Sequence, residues 1–297
     1  MSKVITATTL LKLAEQDKVD LNADTSNYLD ADQVEPYKWP RITPVLNLLT
    51  HTTGVSGNLC TADIGNLTVD CKNFFNAERD SNPPCGLDAS GKYNCNYSYN
   101  NSNFVAARKV IEYITGAKDS MEIDNQTHKL WADSVDLGIT CKVSPSAFYY
   151  GPCNGAADCF NYAGKSWRRY WPAGDYSWSE FCSSGGWYAS SSELMQFLTA
   201  IRYRNALNKD FTNLLLRTDI KDIDNNGTAV GWDPPWFANG QKNLGKGGSL
   251  PMNGTAARAY ITRLPNNCDA VVQVNSKSDL GITGLLRDSF KSAVLGL

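Results

Sequence analysis

Two apolar runs near the C-terminus constrain this chain more than any other feature. AARAYITRL (residues 256–264) and AVVQVNS (residues 270–276) read as paired strands separated by the turn Pro265-Asn266-Asn267. Ahead of them the apolar residues fall at helical spacing instead. Val4, Ile5, Ala7, Leu10, Leu11, Leu13 and Ala14 form the wide face of a first helix. Residues 42–50 (ITPVLNLLT) predict a short helix with Pro44 at its start. Residues 103–115 predict a firm helix stopped by Gly116. Residues 190–204 predict an amphipathic helix whose serines supply an N-cap and whose Glu193 closes a capping box. A last helix covers residues 282–295. Helices in the middle and strands at the end give an α+β fold. We expect a single domain over residues 1–297, with an α-rich lobe over about 20–230 and a sheet with the C-terminal helix over about 240–297.

The hydrophobic share of 42% and the net charge of −2 fit an ordinary globular protein, and no basic stripe exists to bind nucleic acid. Apolar runs are too short to cross a bilayer. The two histidines and nine cysteines show no CxxC or HExxH spacing, so neither a metal nor another cofactor is implied. Most of the cysteines lie in two stretches rich in Gly, Asn, Ser and Pro, read as irregular, at about residues 56–97 and 141–182. That distribution predicts disulfides stapling long insertions, hence a secreted or extracellular protein. Sequons at Asn66, Asn96, Asn100, Asn125, Asn226 and Asn253 point weakly the same way. Yet the N-terminus is no signal peptide, and the cysteine count is odd. A missing N-terminal portion explains both; a processed chain with one buried free thiol explains them equally well.

Several stretches, in order, resemble the serine β-lactamase and penicillin-binding family, particularly its class C and esterase-like branch. SKVITATTLLKLAEQDKVDLNADTSNYL resembles the helix that begins with the family's S-x-x-K motif. ITPVLNLLTHTTGVSG resembles its LLTHTSG loop, and YNNSNFVAARKVIEYITG its Y-x-N motif with the following helix. GGWYASSSELMQFLTAI matches a helix of this branch, and LGKGGSLPMNGTAARAYI the strand with the K-T-G or H-x-G motif. The resemblance implies a β-lactamase/transpeptidase-like fold, an antiparallel sheet flanked by helices beside the α-rich lobe. It also implies acyl transfer to a serine on an ester, amide or peptide substrate.

A serine hydroxyl is a poor nucleophile until a neighbouring base takes its proton. In the family that base is a buried lysine one helical turn after the serine, with a tyrosine from the opposite lobe. The resemblance assigns Lys3 as the lysine and Tyr99 as the tyrosine, both catalytic. It assigns Asn101 to a substrate amide or to the lysine, and Lys246 to a substrate carboxylate. Gly247 and Gly248 complete the substrate-binding strand, and the backbone after Gly248 would offer an oxyanion-hole N–H. His51 matches a structural loop histidine rather than a triad member, and His128 has no motif around it. The Trp-rich stretch over residues 167–187 would either wall the cleft or pack disulfide loops.

One departure matters. Three positions before Lys3 lies outside the sequence, so the S-x-x-K serine is absent. Ser2 is adjacent to the lysine and diverges from it by about 100° around a helix, so it is no substitute. The family's two N-terminal strands are absent too, which would expose a sheet edge. Three explanations stay open: a partial product, a companion N-terminal chain or segment that supplies serine and strands, or a degenerate member that has lost catalysis. The rival to a hydrolase is a non-catalytic secreted binding or structural protein on the same scaffold.

Overall fold

The computed structural model describes residues 1–29, 43–54, 85–87, 93–117, 148–152, 159–162, 165–170, 182–186, 189–203, 206–222, 224–238, 241–252, 255–264, 268–274 and 281–295. Helix α1 (Ser2–Glu15) lies at the centre, buried at every position from Ser2 to Ala14 except Lys12. Sequence spacing predicts only a wide apolar face, but polar residues on the other side are buried as well. Burial of its threonines is tolerable because each hydroxyl is satisfied. Thr8 and Thr9 donate back to the carbonyls of Val4 and Ile5 at 2.7 and 3.0 Å, and Thr6 donates to Ser183 O at 2.9 Å.

Around α1 pack α2 (Val45–Thr50), α3 (Asn101–Thr115), α4 (Ser191–Tyr203) and α5 (Lys209–Leu216), sharing one hydrophobic core with it. Pro44 is the N-cap of α2 rather than its first helical residue. α3 begins two residues earlier than the sequence pattern predicts, because Asn100 caps it by accepting from Ser102 N. Gly116 ends α3 in the left-handed conformation, as predicted. The capping box of α4 is present: Glu193 accepts from Ser190 N at 2.6 Å while Ser190 Oγ accepts from Glu193 N at 3.3 Å. α5 was not anticipated, although Asn208 as N-cap and Asp210 in the first turn are its signature.

The main sheet is antiparallel, in the order β11-β10-β9-β8, formed by β8 (Trp236–Ala238), β9 (Gln241–Met252), β10 (Thr255–Arg263) and β11 (Asp269–Val274). β10 and β11 are the strand pair that the C-terminal runs predict. Helix α6 (Ile282–Leu295) is anchored to this sheet by Arg287, whose Nε donates to Tyr260 Oη at 3.0 Å and whose guanidinium lies 4.6 Å from the Trp236 ring centroid. Smaller antiparallel units are β1 (Cys85–Leu87) with β2 (Tyr93–Cys95), β3 (Phe148–Pro152) and β4 (Cys159–Tyr162) flanking β5 (Lys165–Tyr170), and β6 (Ile220–Lys221) with β7 (Gly227–Thr228). The two cysteine-bearing stretches are therefore not wholly irregular: each contributes short paired strands. The Trp-rich wall falls outside the described residues, apart from the backbone of β5 and of the turn at Cys182–Gly186.

The segment Ala229 to Asp233 ties α2 and α5 to β9. Gly231 N donates to Leu49 O at 2.8 Å, Trp232 Nε1 to Leu215 O at 3.1 Å, and Asp233 N to Gly245 O at 2.9 Å. Gly231 has φ +74°, and a Cβ there would come within 2.8 Å of Ala7 Cβ and 3.0 Å of Lys3 O. Gly116 has φ +69° but open space around it. Gly231→Ala is therefore expected to destabilise the fold by about 2–5 kcal/mol, strain plus overpacking. Gly116→Ala is expected to cost only the conformational part, about 1–2 kcal/mol. Denaturant melts of the two variants check this, and equal losses would contradict the close approach of this segment to α1.

Candidate active site

Lys3 sits in the first turn of α1, 2% exposed. Its Nζ donates to Asn101 Oδ1 at 2.7 Å and to Ser184 O at 2.6 Å. The first partner comes from the start of α3 and the second from the tight turn Cys182–Gly186, so three separate parts of the chain meet on one amine. The Tyr99 and Phe104 rings lie 4.9 and 5.6 Å from the same nitrogen.

Burial drives the Lys3 pKa well below its ordinary 10.5, and the nearby Lys246 lowers it further, while Asp233 pulls weakly the other way. The aromatic rings favour the charged form, but by only about 0.5–2 kcal/mol, against several kcal/mol for taking an ammonium out of water. Desolvation wins. A neutral amine has two N–H donors and one lone pair. In that form its hydrogen bonds to Asn101 and Ser184 use both donors, leaving the lone pair for the remaining tetrahedral direction.

Tyr99 stands between two amines, its ring 4.9 Å from Lys3 Nζ and 4.7 Å from Lys246 Nζ. Its hydroxyl donates to Asn101 Oδ1 at 3.4 Å. Tyr99 is 47% exposed, and partial desolvation of its hydroxyl, with a smaller contribution from Asp233, raises the phenol, so Tyr99 carries a proton at neutral pH. Its placement follows from the loop behind it. His51 closes α2 with φ +58°, accepts Asn100 N–H on Nδ1 at 3.2 Å, and stacks at 4.8 Å on Tyr99. Ser98 N donates to His51 O at 2.9 Å. Burial and the two lysines hold His51 well below its usual pKa, so it is neutral. Its role is positional, as the sequence reading has it: it fixes the cap of α3, and hence Tyr99 and Asn101. The Asn100 sequon is no glycan site in this fold, since Asn100 is 2% exposed and engaged in that cap.

Lys246, Gly247 and Gly248 lie on β9, facing Ile261, Tyr260 and Ala259 of β10. β8 covers only Gln241 to Asn243, leaving the other side of the later residues of β9 to the cleft. Asp233 occupies that side. It receives Lys246 Nζ on Oδ1 at 2.5 Å and Gly247 N on Oδ2 at 3.1 Å. Because N–H and C=O alternate sides along a strand, the Ser249 N–H faces the same way as that of Gly247. The structure thus brings together all six residues singled out from the sequence. It adds Asp233 and the Ser184 carbonyl, which sequence reasoning missed. Asp233 stands in a loop with no motif around it, and nothing local announces a partner 13 residues away. The backbone nitrogen of Met1 also reaches this cleft, 3.6 Å from a Cβ built on Gly248. Among the described residues, no group of three or more His, Cys, Asp or Glu could hold a metal ion, and no helix is long and apolar enough to cross a membrane.

A family model described as Beta-lactamase matches residues 1–124. Among solved structures, the penicillin binding protein from Bacillus halodurans is similar over 98% of this chain and 84% of its own, with TM-score 0.64 and 20% identity. The D-amino acid amidase from Ochrobactrum anthropi SV3, complexed with D-phenylalanine, is similar over 100% and 83%, with TM-score 0.65 and 14% identity. A class C β-lactamase from Rhodobacter sphaeroides covers 99% and 83%, with TM-score 0.62 and 13% identity. No curated protein sequence matches the chain significantly. The fold is the β-lactamase/transpeptidase-like one, and the match to the Beta-lactamase family model covers the first 124 residues.

The depressed Lys3 pKa has a consequence for stability. Between the lowered folded value and 10.5, the unfolded chain binds the proton and the folded chain does not. Stability therefore rises with pH across that window, and the penalty is complete below the folded pKa. Lys3→Met removes this dependence. The stability of the natural chain relative to Lys3→Met is expected to improve as pH rises from the lowered folded pKa towards 10.5; denaturant melts over alkaline pH that keep a constant difference would contradict the burial of Lys3.

Proposed function

We propose that this chain is the larger part of a serine hydrolase of the penicillin-binding type, acting by acyl transfer on an ester, amide or peptide. The observation that carries the reading is the buried Lys3 amine, held by two acceptors, Asn101 Oδ1 and Ser184 O, with no carboxylate on it. Lys3 would take the proton of a serine hydroxyl as that oxygen attacks the substrate carbonyl. Tyr99, near Lys3 and Lys246, would hand a proton to the leaving group. Asn101 holds Lys3 through Oδ1, and its amide N–H groups would meet the substrate's acyl carbonyl. The Ser249 N–H would give one half of the oxyanion hole and the nucleophile's own amide the other. Water then hydrolyses the acyl-enzyme, or an amine takes the acyl group.

The nucleophile in this proposal is a serine outside the 297 residues, supplied by a preceding segment or a companion chain and seated one turn before Lys3. Secretion belongs to the same proposal. Cys85 and Cys95 are register partners in the β1–β2 pairing, and Cys95 is disulfide-bonded, which suits an oxidising compartment.

Native material exposed to a fluorophosphonate or a fluorescent β-lactam, then weighed intact, tests the reading. An adduct on this chain or on a chain associated with it is expected. Lys3→Met should slow its formation by about 10²–10⁴-fold without loss of fold. Absence of any adduct at high probe concentration would favour the non-catalytic scaffold instead.

A further inference from the structure

The positive charge that a β-lactamase-like cleft would offer to a substrate carboxylate is already taken. Lys246 is 2% exposed at its side chain and paired with Asp233, which is itself 34% exposed. What solvent and ligand meet at this end of the cleft is therefore the carboxylate, with the ammonium sealed behind it.

Asp233 is built into place rather than draped over the surface. Its own N–H is fixed to Gly245 O at 2.9 Å, and the preceding Trp232 is fully buried with its indole N–H on Leu215 O. One further residue back, Gly231 is fixed to Leu49 O and lies against α1 beside Lys3 O. Each carboxylate oxygen has one partner inside the protein, Lys246 Nζ on Oδ1 and Gly247 N on Oδ2. An ionised carboxylate accepts about four hydrogen bonds, so lone pairs remain on its exposed side.

Charge addition gives the same answer. Lys246 and Asp233 pair with each other, and the member of the pair open to a ligand is the carboxylate. An incoming carboxylate would meet repulsion and an engaged lysine. An ammonium, or a neutral N–H donor, would meet an acceptor with free lone pairs.

The geometry points to Asp233 as the residue that sets charge specificity: this cleft takes substrates presenting an amino group to the Lys246 end of β9, not a carboxylate. The inference rests on the acyl-transfer reading of the cleft but is tested by binding alone, so the two can fail separately. Three ligands of matched shape serve as probes: phenylalaninamide, the uncharged N-acetylphenylalaninamide and N-acetylphenylalanine. Their dissociation constants are measured on the natural chain by NMR titration at low salt and neutral pH.

The ammonium ligand is expected to bind at least ~10-fold more tightly than the carboxylate ligand, with the uncharged one between. Asp233→Asn should abolish or reverse that order by freeing Lys246, and Asp233→Glu should retain it, both checked for fold by thermal melts. Should Asp233→Asn fail to fold, the Glu variant and loss of the preference at high salt decide the matter. Equal or tighter binding of the carboxylate ligand by the natural chain overturns the inference. So does an unchanged order in Asp233→Asn, or no binding of any of the three. Adduct formation with the fluorophosphonate is unaffected by these outcomes and continues to report on the hydrolase reading.

Discussion

Two hydrogen bonds from one buried amine hold the cleft together. Lys3 Nζ ties the first turn of α1 to Asn101 at the start of α3 and to the carbonyl of Ser184. An ammonium in that position would forgo water without any carboxylate in direct contact, a cost of several kcal/mol. The fold resolves this by letting the amine give up its proton readily. The same neutral nitrogen that the packing tolerates is the one that a serine hydroxyl needs as a base. Structural tolerance and chemical competence here have a single cause, which is burial.

The surrounding elements can be read as devices for keeping that amine in position. Gly231 lets its loop press onto α1 at Lys3 O, and the neighbouring backbone of Asp233 locks the loop to β9. His51, kept neutral by burial, pins the Asn100 cap and so orients Tyr99 and Asn101. Lys246 adds a second amine that discourages protonation of Lys3, while Asp233 limits how far that goes. The outcome is a nearly uncharged cleft with a polar floor and one exposed carboxylate.

Much of this was legible in the sequence, and the reason differs from part to part. The helices α3, α4 and α6 and the β10–β11 pair carry local signals: caps, a glycine stop, and two strand-like runs split by the Pro-Asn-Asn that follows Leu264. Lys3, Tyr99, Asn101 and Lys246 were found by resemblance of their flanking residues, because no local rule distinguishes a buried lysine near a chain end from a solvated one. Asp233 was not found at all. Its importance comes from tertiary register, β9 bringing Lys246 and Gly247 alongside a loop, and no pattern in residues 229–236 records that. The short strands β3, β4 and β5 escaped for a related reason: Gly- and Asn-rich flanks read as loop, and pairing among them is non-local.

The central claim is that Lys3 is a lysine poised to be a base, and its own titration tests that most directly. Selective 13C labelling of lysine side chains, with Lys3→Met to assign the resonance, follows each Cε shift as pH is raised. The account predicts one resonance, missing in Lys3→Met, that titrates well below the ordinary 10.5. A Lys3 resonance that titrates with the surface lysines, near 10.5, would contradict it.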